Sequence, residues 1–197
     1  MLRPRRFAKT TTMSMLKYFS DINEPQSSRE MMFKDTKIWN EQGGQYIRDH
    51  CGQYPVIFIT FNECSDITWE EMRKRFVVLI TKAYARHRYI YEKEGFLSTR
   101  ERKQFDLILG RDINADYKGA LNDLSEYLHR YHNKKVIILI DEYDKPVNHA
   151  YINGFSKEAI GFMSVAFTGA LKDNPYDNDM ASLSILTLDS SGTCLKV

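Results

Sequence analysis

The sequence predicts an α/β fold, a parallel sheet covered by helices on both faces, and three observations predict it. Val56-Ile57-Phe58-Ile59-Thr60-Phe61 and Lys135-Val136-Ile137-Ile138-Leu139-Ile140 are apolar runs of strand length, rich in β-branched residues and without alternation. A strand that is apolar on both sides must be buried on both faces, as in parallel sheets. The stretch between the two runs carries helical periodicity, and parallel strands need a crossover of that kind.

The elements follow in chain order. Residues 9–22 read as a helix, with Met13, Leu16 and Phe19 at helical spacing, and residues 23–28, with Pro25, break it. Residues 38–47 fit neither period and are interrupted by Gly43-Gly44. Pro55 introduces the first strand. Thr68 is placed as an N-cap, with Glu71 at the capping-box position, for a helix running to about Tyr91. Further helices are expected over residues 98–109 and 117–131, the second with Leu121, Leu124 and Leu128 on one face. After the strand at 135–140, residues 156–171 read as a helix and residues 182–188 as a last strand.

Composition bounds the function. The chain has 197 residues, 43% hydrophobic and 27% charged, which suits a single globular domain. Lys and Arg number 28 against 26 Asp and Glu, so the net charge of +2 points to no nucleic-acid or other charged partner. Cys51, Cys64 and Cys194 are odd in number and scattered, which argues against a disulfide framework and for a reducing, cytoplasmic compartment. No apolar run is long enough to span a membrane. The first twenty residues hold Arg3, Arg5, Arg6, Lys9 and Lys17 with no acid before Asp21, the composition of a mitochondrial transit peptide. The same residues also read as a phosphate-binding loop entering a helix.

That second reading rests on two features. Arg3-Pro4-Arg5-Arg6-Phe7-Ala8-Lys9-Thr10 leads directly into a helix, and Ile137-Ile138-Leu139-Ile140-Asp141-Glu142 ends a buried strand in two carboxylates. In a P-loop, backbone amides at a helix N-terminus surround phosphate oxygens. A Lys neutralises the β- and γ-phosphates, and the next Ser or Thr hydroxyl ligates Mg2+. Lys9 and Thr10 form that pair. Asp141 suits the Walker-B position that holds Mg2+, and Glu142 can polarise an attacking water as general base.

With these residues in place, the chain resembles the AAA-ATPase-like proteins, whose full-length members often carry a C-terminal nuclease-like domain of the PD-(D/E)XK type. The resemblance runs through Arg3-Pro4-Arg5-Arg6-Phe7 with Lys9-Thr10, Ser14-Met15-Leu16-Lys17-Tyr18-Phe19 and Tyr54-Pro55-Val56-Ile57-Phe58. It continues through Lys135 to Asp144 and Ala170-Leu171-Lys172-Asp173-Asn174-Pro175-Tyr176. It implies a three-layer P-loop NTPase-like sheet over residues 1–180, ATP and Mg2+ as cofactors, and ATP hydrolysis. By resemblance Arg5, Arg6, Phe7, Ala8, Lys9 and Thr10 bind the nucleotide, Thr10 and Asp141 hold the metal, and Glu142 is catalytic.

Three departures qualify this expectation. The family has Gly where this chain has Ala8. Only Met1 and Leu2 precede the loop, so the strand that normally carries it is expected to be missing. After Asn178 the pattern fades, and residues 181–197 are expected to form a divergent tail with the C-terminal strands cut short. A rival reading is therefore a catalytically inactive remnant, or a protein-interaction module that keeps the fold. A third is nucleic-acid association through Arg3, Arg5 and Arg6. A homo-oligomer or a protein partner is compatible with each.

Other motifs point elsewhere. His129 and His132 have metal-ligand spacing but no acid or Cys pair beside them, and read as a solvated helix end. Glu101-Arg102-Lys103 has the form of a nuclease core but lies in a helical run rather than on a strand. Asp144 is expected to cap or support the loop after Glu142, Trp39 and Trp69 to anchor packing, and Ser190-Ser191-Gly192 to form a turn.

Overall fold

Met13 and Leu16 lie one helical turn apart, and both meet the same face of a two-stranded sheet; that contact sets the layout of the fold. A computed structural model describes residues 9–167 and residue 170. The fold is mixed α/β, mostly helical. In order it contains α1 (Lys9–Ser20), α2 (Gln26–Phe33), α3 (Lys37–Asn40), a 3-10 turn (Glu41–Gly44), α4 (Gln45–His50), β1 (Val56–Thr60), α5 (Trp69–Arg86), α6 (Arg88–Glu92) and α7 (Thr99–Leu109). It continues with α8 (Ala120–His132), β2 (Ile137–Asp141), α9 (Asp144–Ile152) and α10 (Ser156–Phe167). The strand expected at 182–188 and the tail 181–197 lie outside the described residues.

β1 and β2 pair in parallel, in the register Val56 to Ile137 through Thr60 to Asp141. Side chains alternate across a strand, so each pair shares a face. Ile57, Ile59, Ile138 and Ile140 enter the main core with Met72, Phe76, Tyr84, Leu124 and Phe162. Val56, Phe58, Ile137 and Leu139 face the other way, onto Met13 and Leu16. Both faces are thus covered, as the unbroken apolar runs require. Full burial of each such aliphatic side chain stabilises the fold by about 1.5–3 kcal/mol.

The N-cap expected at Thr68 is present, and a capping box not expected forms at Ser98. The Thr68 side chain accepts from the Glu71 amide at 3.3 Å, and Ser98 and Glu101 form a reciprocal capping box at the start of α7. The helix expected from 68 to about 91 is instead broken at His87, between α5 and α6. The reason is the His87 ring, which turns inward to the Val56 backbone and to the Tyr89 hydroxyl at 3.3 Å. The helix expected from 117 starts later, at Ala120, because the Asp116 carboxylate accepts from the Lys118 and Gly119 amides and holds a turn. The first helix ends at Ser20, before the break expected at 23–28, and Pro25 with its extended backbone instead opens α2 at Gln26.

The direction of α1 follows from its last turn. The Gly52 and Tyr54 amides donate to the Phe19 and Ser20 carbonyls at 2.7 and 3.0 Å, which fixes the end of α1 beside the start of β1. Met13, nearer its beginning, belongs to the cluster of Val56, Ile137 and Leu139 on the sheet face. The helix therefore runs counter to the strands. Its 12 residues extend about 18 Å, and the five residues of β1 about 17 Å. The first turn of α1 accordingly lies at the C-terminal edge of the sheet.

Candidate functional site

Open parallel sheets bind ligands beyond the C-terminal ends of their strands, where loops replace the hydrogen-bonded ladder. Here that edge is formed by Thr60 and Asp141, the last register pair. By alternation both belong to the face that carries Val56, Phe58, Ile137 and Leu139, which is the α1 face. Thr10, exposed, lies one turn before Met13 on that helix. Thr10 thus lies in the first turn of the helix that covers the face of Thr60 and Asp141. The backbone of Lys9 opens α1. Arg5, Arg6, Phe7 and Ala8 lie outside the described residues.

Asp141 is the unusual member. The residue is 6% exposed, and among the described residues its Oδ2 has no hydrogen-bond partner. A buried acceptor left unpaired costs about 1–3 kcal/mol, more when charged. Such a group fits a hard cation, which takes oxygen ligands and offsets the loss of water.

Glu142 follows at once and is strained. Its φ is +54°, in the left-handed region that side chains with a Cβ disfavour. This residue turns the chain from β2 into α9, and its side chain is left 38% exposed. Asp144, expected to support this loop, is the first residue of α9, where a carboxylate favours the helix dipole. Glu142→Gly should raise stability by about 0.5–1 kcal/mol in urea unfolding, because glycine accepts that φ freely. The partly exposed ion pair with Lys145, 3.8 Å away, contributes too little to reverse the sign.

Two residues that the sequence reading missed complete this edge. The Lys145 Nζ donates to the Asn62 backbone carbonyl, and lies 3.4 Å from Asn62 Oδ1. Asn62 follows β1 and its amide donates to Thr60 Oγ1 at 3.3 Å. Only the three-residue spacing from Glu142 to Lys145 hinted at the first. Nothing local marks Asn62, which is 83 residues away from Lys145.

The remaining candidates have structural roles. Glu101 caps α7 and pairs with Arg130 at 2.6 Å, and the Arg130 guanidinium holds its carboxyl down at about 2. His129 Nδ1 meets the Lys134 carbonyl at 2.9 Å, and His132 meets the Tyr89 hydroxyl at 2.8 Å; His132 is half-buried rather than solvated. Trp69 packs on Phe76 and Phe162. Burial pushes the Cys64 thiol up to about 12, so it is inert as a nucleophile. A shallow hollow of about 510 Å³ lies on α7, lined by Thr99, Arg102 and Asp106. It is separate from the strand ends, and its Arg102 is already bonded to the Tyr91 carbonyl. Among the described residues no helix is long and apolar enough to cross a membrane.

The model of the AAA-ATPase-like family, described as predicted AAA-ATPase, matches residues 1–187. No curated protein and no solved structure gives a match.

Proposed function

The chain belongs to the AAA-ATPase-like family, and from that premise we propose that it binds ATP with Mg2+ at the C-terminal edge of β1 and β2 and hydrolyses it. The observation that carries this reading is the buried, unpartnered Oδ2 of Asp141 on the face where α1 begins. The family is consistent with nucleotide binding at a coarse level; the metal, the hydrolysis and the residue roles are the proposal. The sheet would be part of a three-layer P-loop arrangement, with α1 on one face and α5 and α10 on the other.

In this reading the amides of Arg5 to Lys9 and the positive end of the α1 dipole surround the phosphates. The Lys9 ammonium neutralises the terminal phosphates, and Thr10 and Asp141 hold the metal. Mg2+ bound there would supply charge neutralisation of the triphosphate. The Glu142 carboxylate accepts a proton from the attacking water.

Binding of a fluorescent ATP analogue tests it. Affinity should depend on Mg2+, and Lys9→Ala should weaken it about 10- to 100-fold, the equivalent of losing one charge-assisted hydrogen bond. Ala8→Gly should strengthen binding, because a methyl group close to phosphate strains the loop by about 1–2 kcal/mol. Mg2+-independent binding, or equal binding by Lys9→Ala, would leave the inactive-remnant reading in its place.

A further inference from the structure

The loop after β1 and the turn after β2 leave adjacent strand ends, where the backbone ladder closes with the Phe61 amide donating to the Asp141 carbonyl at 3.0 Å. Beyond it, a side chain takes over. Lys145, in the first turn of α9, donates through Nζ to the Asn62 carbonyl and reaches Asn62 Oδ1 at 3.4 Å. The same ammonium lies 3.8 Å from Glu142 Oε2, and the Lys145 amide donates to the Glu142 carbonyl at 3.1 Å. From Asn62 the chain of contacts continues to Thr60 Oγ1, directly across from Asp141.

The far end of the same loop is also held. Arg75 grips Asp66 through Nε and Nη2 at 2.8–3.0 Å, and the Asp66 side chain is only 7% exposed. Clamped at Asp66, the loop is a firm support for whatever is tied to Asn62. Glu142 needs such a support, because its own backbone sits in a disfavoured conformation and its carboxylate is partly exposed.

We propose that Lys145 is a positioning residue for Glu142, an interlock that fixes the Glu142 carboxylate to the Asn62 loop across the sheet edge. The inference rests on the reading of Glu142 as the base of ATP hydrolysis. An ammonium suits the role because it donates several bonds from one point, here to the Asn62 carbonyl and amide oxygens, while its charge holds the Glu142 carboxylate as an ion pair at 3.8 Å. It acts on the reaction only through Glu142, so it governs turnover rather than nucleotide affinity.

Two measurements on the whole chain test this, each with wild type, Lys145→Ala and Lys145→Arg. In steady-state Mg-ATP turnover, Lys145→Ala should lower kcat about tenfold or more while KM changes less than about twofold, since a misplaced base costs rate but not binding. Lys145→Arg, which keeps the charge and the donors, should recover most of the loss. In amide hydrogen exchange, residues 62–66 should exchange faster in Lys145→Ala and near the wild-type rate in Lys145→Arg. An unchanged kcat in Lys145→Ala overturns the inference while leaving the hydrolytic reading intact. A rise in KM with kcat unchanged also overturns it, and makes Lys145 a nucleotide contact instead. If the wild-type chain turns over no ATP, the hydrolytic reading is what fails. Exchange then decides the interlock alone, and equal rates in wild type and Lys145→Ala overturn it.

Discussion

Asp141→Asn should remove the stabilisation of the chain by Mg-ATP while changing the nucleotide-free chain much less. Oδ2 is buried and, among the described residues, unpaired, and the amide keeps the shape of the side chain while taking away the carboxylate that would hold a cation. Wild-type protein should gain stability when Mg-ATP is added, by the mass action of a ligand that binds only the folded state. The variant should not. Thermal melts with and without Mg-ATP read both effects. A variant less stable than wild type would mean that Asp141 is held by the fold rather than reserved for a ligand.

The second large effect concerns two buried groups whose proton affinities move in opposite senses. Burial pushes His87 down from its ordinary 6.5 to about 4; its ring is 3% exposed and keeps a bond to the Val56 backbone. The unfolded chain therefore takes up this proton first, and stability is lost as pH falls from about 6.5 toward 4. Burial, reinforced by Asp116, Glu126 and Glu101, pushes Asp123 up from 3.8 to about 6. Here the folded chain takes up the proton first, and stability is gained as pH falls from about 6 toward 3.8. Each shift corresponds to roughly 3 kcal/mol, less for Asp123, which is partly exposed. Between pH 6.5 and 4 the two nearly cancel.

Removing one should expose the other. Asp123→Asn should lose about 1–3 kcal/mol more than wild type between pH 6.5 and 4, and His87→Gln should gain relative to wild type over the same window. Urea midpoints across that range measure the slopes. Groups that interact with neither residue drop out of the differences. Equal slopes in Asp123→Asn and wild type would show that Asp123 titrates alike in both states. His87 also illustrates a limit of periodicity: its residue type fits a long helix, but its ring is needed against β1 and breaks that helix.

Legibility in the sequence followed the range of the interactions. The parallel pair was readable because unbroken apolar runs have one physical solution, burial on both faces. The cap at Thr68 was readable because its partner lies three residues on; the same spacing at Ser98 was read only as a helix start. Asp141 and Glu142 were readable as strand-end carboxylates, but their difference was not. Burial without a partner at Asp141, and a left-handed backbone at Glu142, depend on how α1 and α9 leave the sheet. Helix α9 itself escaped the sequence reading, since Pro146 and a short apolar pattern mask it.

The phosphate half of the candidate site, Arg5 to Ala8, remains a statement about residue types; Lys9 adds only the backbone that begins α1. The metal half changed character. Sequence alone determined that Thr10 begins a helix, that Asp141 ends a buried strand, and that Glu142 follows it, because each depends on local pattern and hydrophobic run length. Only the tertiary structure decided that α1 packs on the sheet face to which Asp141 belongs. It alone joined Lys145 to Asn62 across the sheet. Helix direction and cross-sheet contacts arise from packing between segments far apart in the chain, and no local spacing encodes them.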